Sequence, residues 1–268
     1  MKLKPKLKLK LNTKLKLCLI PAAAGLCVFY LIPFIRVIYY SFLKDIYQGR
    51  FAGAANYAAV LKNDYFRKAA INTGKMILIC VPLFLLGTAG ISLLCYRGKK
   101  AGVFLRRVSI LPLFLPSFCV VGAFLVFFGR VENEWPIYLL FLWKYLGMGI
   151  IILFSAFEGI NPDFYDAART EGASWPQIYV RITLPLIKRP IKFVVILGIV
   201  YCFRTFRESY LYYGTNYPPD YAYTLQYYMN NQFLKLNYQN MAAASVILTV
   251  LLTAFLFLSL YRKKEDTV

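Results

Sequence analysis

Histidine is absent from this chain of 268 residues, and acidic residues are few, with 12 Asp and Glu against 32 Lys and Arg. The six cysteines form no C-x-x-C pair. Zinc and haem sites are therefore not expected, because both usually depend on histidine or on closely spaced cysteines. The sequence also lacks the G-x-x-x-x-G-K-[ST] loop that binds nucleotide phosphates. We predict no catalytic residue, no metal site and no cofactor, and no ATP binding by this chain itself.

Apolar residues are abundant instead, at 59% of the chain. A transmembrane helix needs about 20 mostly apolar residues, and six segments approach that length: 18–38, 76–96, 108–128, 137–157, 193–213 and 242–261. The sequence therefore predicts an all-α integral membrane protein with about six transmembrane helices. We expect a basic arm over 1–17, one membrane domain over 18–261 and a short tail over 262–268.

The net charge of +20 raises the question of nucleic acid binding. The basic residues lie in loops between the apolar segments, however, and no soluble domain is left to form a groove. Loops rich in Lys and Arg alternate along the chain with loops that contain few of them. The positive-inside rule then places both termini in the cytoplasm. The loop over 43–75 disagrees, because it is basic although the alternation puts it outside. The N-terminal lysines are expected to contact anionic lipid, so membrane lipid is a predicted partner and nucleic acid is not.

A polar segment with clear helix boundaries lies between the fourth and fifth predicted spans. Asn161-Pro162 is typical of a helix start, and Gly172 of a helix end. Ser174 and Gln177 have the spacing of a capping box for a second helix, which we expect to end at Leu184-Pro185. Apolar residues recur at helical spacing in both helices. Such a helix-turn-helix either covers the inner face of the membrane bundle or is presented to a partner.

This segment, taken as 161–190, also resembles a known motif. Asp166-Ala167-Ala168, three further residues, Gly172, nine residues and Ile182-Thr183-Leu184-Pro185 are similar to the EAA loop in the permease subunits of binding-protein-dependent ABC importers. Asp166 stands where that family usually has Glu. The stretches 21–42, 56–57, 72–73, 143–147 and 203–233 resemble the sugar permeases of the maltose and glycerol-3-phosphate type. Two departures are a short connection after Phe128 and the sequence that replaces the family's Gly-Gly-Pro at Gly214.

The resemblance implies a transport subunit with no enzymatic activity of its own, in the bacterial inner (cytoplasmic) membrane. It implies a translocation path for a sugar or sugar derivative and coupling to a separate ATPase through the EAA loop. The implied partners are a second, similar permease that forms a heterodimer, a cytoplasmic ABC ATPase dimer and an extracytoplasmic solute-binding protein. The implied coupling residues are Asp166, Ala167, Ala168, Gly172, Ile182, Leu184 and Pro185.

Polar side chains within the fifth predicted span suggest where a solute passes. Charged groups at membrane depth tend to face a cavity or a partner, and aromatic and polar groups together suit a carbohydrate. The predicted substrate path consists of Tyr201, Arg204, Thr205, Glu208 and Tyr212. The alternative interpretation is structural, since Arg204 and Glu208 have the i, i+4 spacing of a helical ion pair.

Two other functions remain open at this stage. A permease of the same machinery for another solute, such as a polyamine or an oligopeptide, has the same coupling loop. A membrane-embedded transferase is the less favoured hypothesis, because it needs convergent carboxylates and a phosphate-binding cluster. Glu158, Asp163, Asp166 and Glu171 are the best acidic set for that reaction.

Overall fold

The structure is a computed structural model, and it describes residues 13–46 and 48–261. The first twelve residues of the predicted basic arm and the whole predicted tail lie outside the described residues. Two compact units are present. Of the described residues, the first unit contains 13–46, 48–61 and 232–261, and the second contains Lys62–Asn231.

The first unit is built from both ends of the chain. Its elements are α1 (Thr13–Leu26), a π-helical turn (Cys27–Leu31), α2 (Ile32–Ser41), the antiparallel strands β1 (Leu43–Asp45) and β2 (Arg50–Phe51), α3 (Ala55–Lys62) and α15 (Tyr238–Tyr261). The π-helical turn ends two residues before Pro33, which has no N–H to continue an α-helical ladder. Helix α15 packs against α2.

A polar corner follows α2 in this unit. The Asn56 side-chain amide donates hydrogen bonds to the carbonyls of Ser41 and Leu43, at 2.9 and 2.7 Å. The hydroxyls of Ser41 and Tyr57 are 2.6 Å apart. These bonds satisfy backbone groups at the end of α2 and fix the turn into β1.

The second unit carries the remaining helices. They are α4 (Asp64–Arg97), α5 (Lys99–Ser109), α6 (Leu111–Phe114), α7 (Ser117–Phe128), α8 (Trp135–Glu158), α9 (Asp163–Thr170), α10 (Trp175–Ile178), a π-helical turn (Tyr179–Thr183), α11 (Leu184–Leu186), α12 (Lys188–Arg204), α13 (Phe206–Tyr213), a 3-10 turn (Asp220–Ala222) and α14 (Leu225–Leu234), whose last residues pass into the first unit. Asn63 caps α4, because its side-chain oxygen accepts from the N–H groups of Tyr65 and Phe66.

The core of the second unit lies where α4, α8 and α12 meet. Phe84 is fully buried there. A Cβ on Gly149 would lie 2.3 Å from the Thr88 methyl carbon, and a Cβ on Gly147 would lie 1.9 Å from the carbonyl oxygen of Ser109. Both glycines therefore allow helices to approach α8 more closely than a side chain permits.

The predicted spans differ from the structure in two places. Among the described residues, Leu19–Ser41, Asp64–Arg97, Trp135–Glu158 and Tyr238–Leu258 are long and apolar enough to cross a membrane. The third predicted span is a pair of helices bent by 104° between Gly102–Phe114 and Ser117–Phe128, because Pro116 and the extended Leu115 interrupt the helix. The fifth is divided at Thr205 into α12 and α13. The number of six spans stays a prediction.

Candidate functional site

The first helix of the polar segment begins as its sequence predicts. Asp163 is the first residue of α9, and its N–H donates to Oδ1 of Asn161 at 3.1 Å. Asp163 and Asp166 both lie in the first turn, where negative charge interacts favourably with the helix dipole. This end of the helix is thus determined by local chemistry.

Gly172 ends this helix in the left-handed region, with φ of +79°. The N–H of Gly172 donates to the carbonyl of Arg169, and the N–H of Ala173 donates to the carbonyl of Ala168, at 2.9 and 3.0 Å. These two bonds define a Schellman motif with glycine at its left-handed position. No atom lies within 4 Å of a Cβ built on Gly172, so the backbone conformation and not crowding requires glycine.

The second helix begins as predicted but ends later. Gln177 Oε1 accepts from the backbone N–H of Ser174 at 2.8 Å, as in a capping box. The helix ends at Leu186, one residue beyond the predicted end at Leu184-Pro185. A π-helical turn over Tyr179–Thr183 accommodates Pro185 within the helix. In this turn the Leu184 N–H donates to the carbonyl of Tyr179, five residues back.

Trp175 joins the two short helices to the end of α4. The guanidinium carbons of Arg97 and Arg169 lie 4.6 and 4.5 Å from the centre of its ring. Both distances are within the range of cation–π attraction. A further contact joins the hydroxyls of Tyr165 and Thr183, 3.3 Å apart. The orientation of α9 therefore depends on α4 as well as on its own caps.

Exposure differs among the predicted coupling residues. Asp166, Ala167, Gly172 and Pro185 are exposed, Ile182 and Leu184 are half-buried, and Ala168 is buried. Phe164, one turn before Ala167 and Ala168 on α9, is apolar, yet 54% of its surface is exposed. Phe164 and Ala167 are three residues apart and share one face of the helix. That face offers a small apolar surface next to the acidic N-terminus.

The residues of the predicted substrate path mostly face the interior of the second unit. Tyr201, Thr205, Glu208 and Tyr212 are buried, and Arg204 is exposed. The ring of Tyr201 stacks on Tyr145, with centroids 4.3 Å apart. Thr205 marks the break between α12 and α13, and its hydroxyl donates to the Tyr201 carbonyl at 2.8 Å.

Glu208 pairs with a residue that sequence spacing did not indicate. Its Oε1 forms a buried ion pair with Lys144 on α8 and accepts from the hydroxyl of Ser117 at 2.6 Å. The predicted alternative of an Arg204–Glu208 ion pair is therefore wrong, because packing brings α8 to that face of α13. Lys144 lies within the fourth predicted span and is only 7% exposed, so its side chain faces the interior of the unit.

A cleft in the second unit lies between Thr205 and the N-terminal part of α4. Its polar lining consists of Asn72, Glu134, Tyr138, Thr205, Ser209, Tyr213, Tyr221 and Thr224. Lys75 pairs with Glu134 at this cleft. The hydrogen bond from Lys75 lowers the pKa of the Glu134 carboxyl, because it stabilises the charged form. Hydroxyl, amide and aromatic groups thus converge beside the helix break.

Comparison with known proteins places this architecture in a family. The family described as the inner membrane component of binding-protein-dependent transport systems matches residues 84–263. That range includes the helix pair at 163–186, the break at Thr205 and the buried Lys144–Glu208 pair.

Individual relatives match over nearly the whole chain. The arabinooligosaccharides transport system permease protein AraP of Bacillus subtilis (strain 168) is 29% identical over 91% of this chain and 85% of its own length. The lactose transport system permease protein LacF of Rhizobium radiobacter is 24% identical over 91% of this chain and 92% of its own length. A solved bacterial alginate ABC transporter, in complex with alginate pentasaccharide-bound periplasmic protein, superposes with a TM-score of 0.79 at 20% identity, covering 95% of both chains.

Proposed function

The chain belongs to the family of inner membrane components of binding-protein-dependent transport systems, and from this premise we propose that it is a permease subunit of an ABC importer for a sugar or sugar derivative. The observation that carries the proposal is the family match over residues 84–263. The sugar class is supported by the relatives, which are named as permeases for arabinooligosaccharides and for lactose.

The helix pair around Gly172 is the proposed coupling element. The coupling set is Asp166, Ala167, Ala168, Gly172, Ile182, Leu184 and Pro185, to which the exposed Phe164 is added. In this proposal α9 enters a cleft on a separate ATPase subunit. Ala167 and Phe164 contact the wall of that cleft, and the turn at Gly172 sets the angle at which α9 enters it. Permease subunits of this family are not enzymes, and ATP hydrolysis belongs to the separate subunit in this proposal.

The solute path is proposed to run along the broken fifth span. Tyr201, Arg204 and Thr205 are the residues proposed to meet the solute. Glu208 and Tyr212, also predicted for the path, are engaged by Lys144 and by the backbone of Val131, so in this proposal they hold the path in shape. Discontinuous membrane helices often form solute sites, because unpaired backbone groups at the break are available for binding. The cleft beside Thr205, with its tyrosines and amides, is chemically suited to sugar hydroxyls.

The assembly follows from the same proposal. The chain lies multi-pass in the inner membrane, and we place both termini in the cytoplasm, where the basic loops and the coupling helices face the ATPase. A second permease completes a heterodimer with this chain. An extracytoplasmic solute-binding protein delivers the sugar. The periplasmic protein bound to the alginate transporter is a parallel in a protein of similar fold.

Affinity purification tests this proposal directly. The tagged chain is extracted from its native membranes in mild detergent, and the proteins that follow it are identified by mass spectrometry. We expect a P-loop ATPase and a second permease, with the ATPase lost from a Gly172→Asp variant that still inserts. A folded chain that purifies alone would contradict the proposal.

A solute screen tests the sugar class separately. The solute-binding protein that functions with the complex is titrated with pentose and hexose oligosaccharides, a polyamine and a tripeptide, and its thermal unfolding midpoint is measured. A rise with an oligosaccharide alone supports the proposal. A rise with spermidine or the tripeptide would retain the permease function and overturn the sugar assignment.

A further inference from the structure

Ser117, Lys144 and Glu208 form a buried ionic cluster in the second unit. The Lys144 ammonium donates to the Ser117 hydroxyl at 3.0 Å and pairs with Glu208 Oε1, which also accepts from Ser117 at 2.6 Å. The side chains of Lys144 and Glu208 are 9% and 2% exposed. Each residue comes from a different helix, namely α7, α8 and α13.

The cluster lies immediately after two breaks in the helical backbone. Ser117 is the first residue of α7, directly after the bend of 104°. Glu208 is in the first turn of α13, after the break at Thr205. The regular ladder of backbone hydrogen bonds is interrupted at such a break, so side-chain contacts help to set the direction of the helix that follows.

A second contact ties the other ends of the same helices. The Tyr212 hydroxyl accepts from the backbone N–H of Val131 at 2.8 Å and donates to the carbonyl of Gly129 at 3.4 Å. Gly129 follows the last residue of α7, and Tyr212 is near the end of α13. Helices α7 and α13 are thus joined near both ends, and they also pack against each other.

We propose that the ionic cluster is a lock that makes α7, α8 and α13 one rigid body, so that this unit bends at residues 115–116 and 205 during the transport cycle. Two opposite charges buried together compensate each other, whereas either charge alone is strongly unfavourable in a membrane interior. The pair is therefore kept through the cycle, and movement is confined to the two helix breaks. Ser117, Lys144 and Glu208 are positioning residues in this proposal.

The proposal makes a specific prediction for neutral substitutions. Lys144→Met and Glu208→Gln each leave one buried charge without a partner, whereas the double variant removes both charges. We expect each single variant to lower MgATP hydrolysis by the reconstituted complex about tenfold and to lower its thermal unfolding midpoint. The double variant is expected to regain most of the hydrolysis rate and most of the unfolding midpoint. It leaves no unpaired buried charge, and the energies of residues in contact are not additive.

A matched exposed pair provides the control. Lys68 and Asp220 form an ion pair in the same unit, with side chains 39% and 83% exposed. Lys68→Met, Asp220→Asn and the double variant are expected to change the midpoint and the hydrolysis rate only slightly, because exposed ion pairs contribute little. Equal effects in both series would overturn the special role of the buried cluster.

Each other outcome is equally decisive. If the effects of the two buried substitutions simply add in the double variant, the residues are not coupled and no lock exists. If the double variant regains its midpoint and membrane level but not its hydrolysis rate, the charges act in transport itself, and the lock is again excluded. The inference rests on the proposed function only for the hydrolysis measurement. If no ATPase purifies with the chain, the proposed function fails, and the midpoints of the chain alone still test the coupling.

Discussion

At the scale of single residues, Gly172 connects backbone geometry most directly to function. Its φ of +79° is in the region that side chains disfavour, by about 1–2 kcal/mol. The surrounding space is open, so a substitution acts only through the backbone of this turn. Because the turn is exposed, we expect membrane insertion of the rest of the chain not to depend on it.

A graded series at this glycine tests its role. Asparagine tolerates the left-handed region better than alanine, and alanine better than valine. We expect recovery of the ATPase with the purified chain to fall in the order Gly172→Asn, Gly172→Ala, Gly172→Val. Chain levels in the membrane should stay constant. Gly159, whose φ is −76°, gives the control, since Gly159→Ala should change nothing. A valine variant that retains the ATPase fully would refute the coupling role of the turn.

At the scale of elements, the orientation of the helix pair depends on Trp175. Two arginines, Arg97 from α4 and Arg169 from α9, contact its ring. Each such contact contributes about 0.5–1 kcal/mol at an exposed site. The aromatic ring therefore holds two short helices, which are too short to be stable alone, against the end of a long one.

Hydrogen exchange measures this attachment. Trp175→Leu removes both ring contacts, whereas Trp175→Phe keeps an aromatic face for each arginine. We expect the leucine variant to speed amide exchange in α9 and α10 by about 5- to 30-fold, from the loss of about 1–2 kcal/mol. The phenylalanine variant should change exchange less. Trp135, exposed at the start of α8, is the control position, and equal exchange in Trp175→Leu and wild type would disprove the attachment.

At the scale of the whole molecule, the distribution of charge predicts the orientation in the membrane. Reporter fusions test it, since alkaline phosphatase is active outside and green fluorescent protein inside the cytoplasm. We expect phosphatase activity for a fusion after Glu132 and fluorescence for a fusion after Val268, in accord with the positive-inside rule. A fusion after Gly53 shows on which side of the membrane the basic loop over 43–75 lies. The alternation of successive loops places it outside. Phosphatase activity at the C-terminal end would reverse the proposed orientation.

Much of the local structure near the site follows from the sequence. The start of α9 at Asp163, its end at Gly172 and the capping box at Ser174 are confirmed, because each depends on residues only a few positions apart. The end of the second helix lies within one residue of the prediction, but the π-helical turn before it was not predicted. The divided third and fifth spans were not predicted either, because apolar length alone does not show where a helix bends.

The sequence by itself determined the all-α membrane class and, through the motif around Gly172, the resemblance to importer permeases. Apolar run length and cap chemistry are properties of neighbouring residues, so they can be read without a fold. Only the tertiary structure decided that Glu208 pairs with Lys144 and not with Arg204, and that Trp175 meets Arg97. Such contacts join distant parts of the chain, and they depend on how the helices bend and pack against one another.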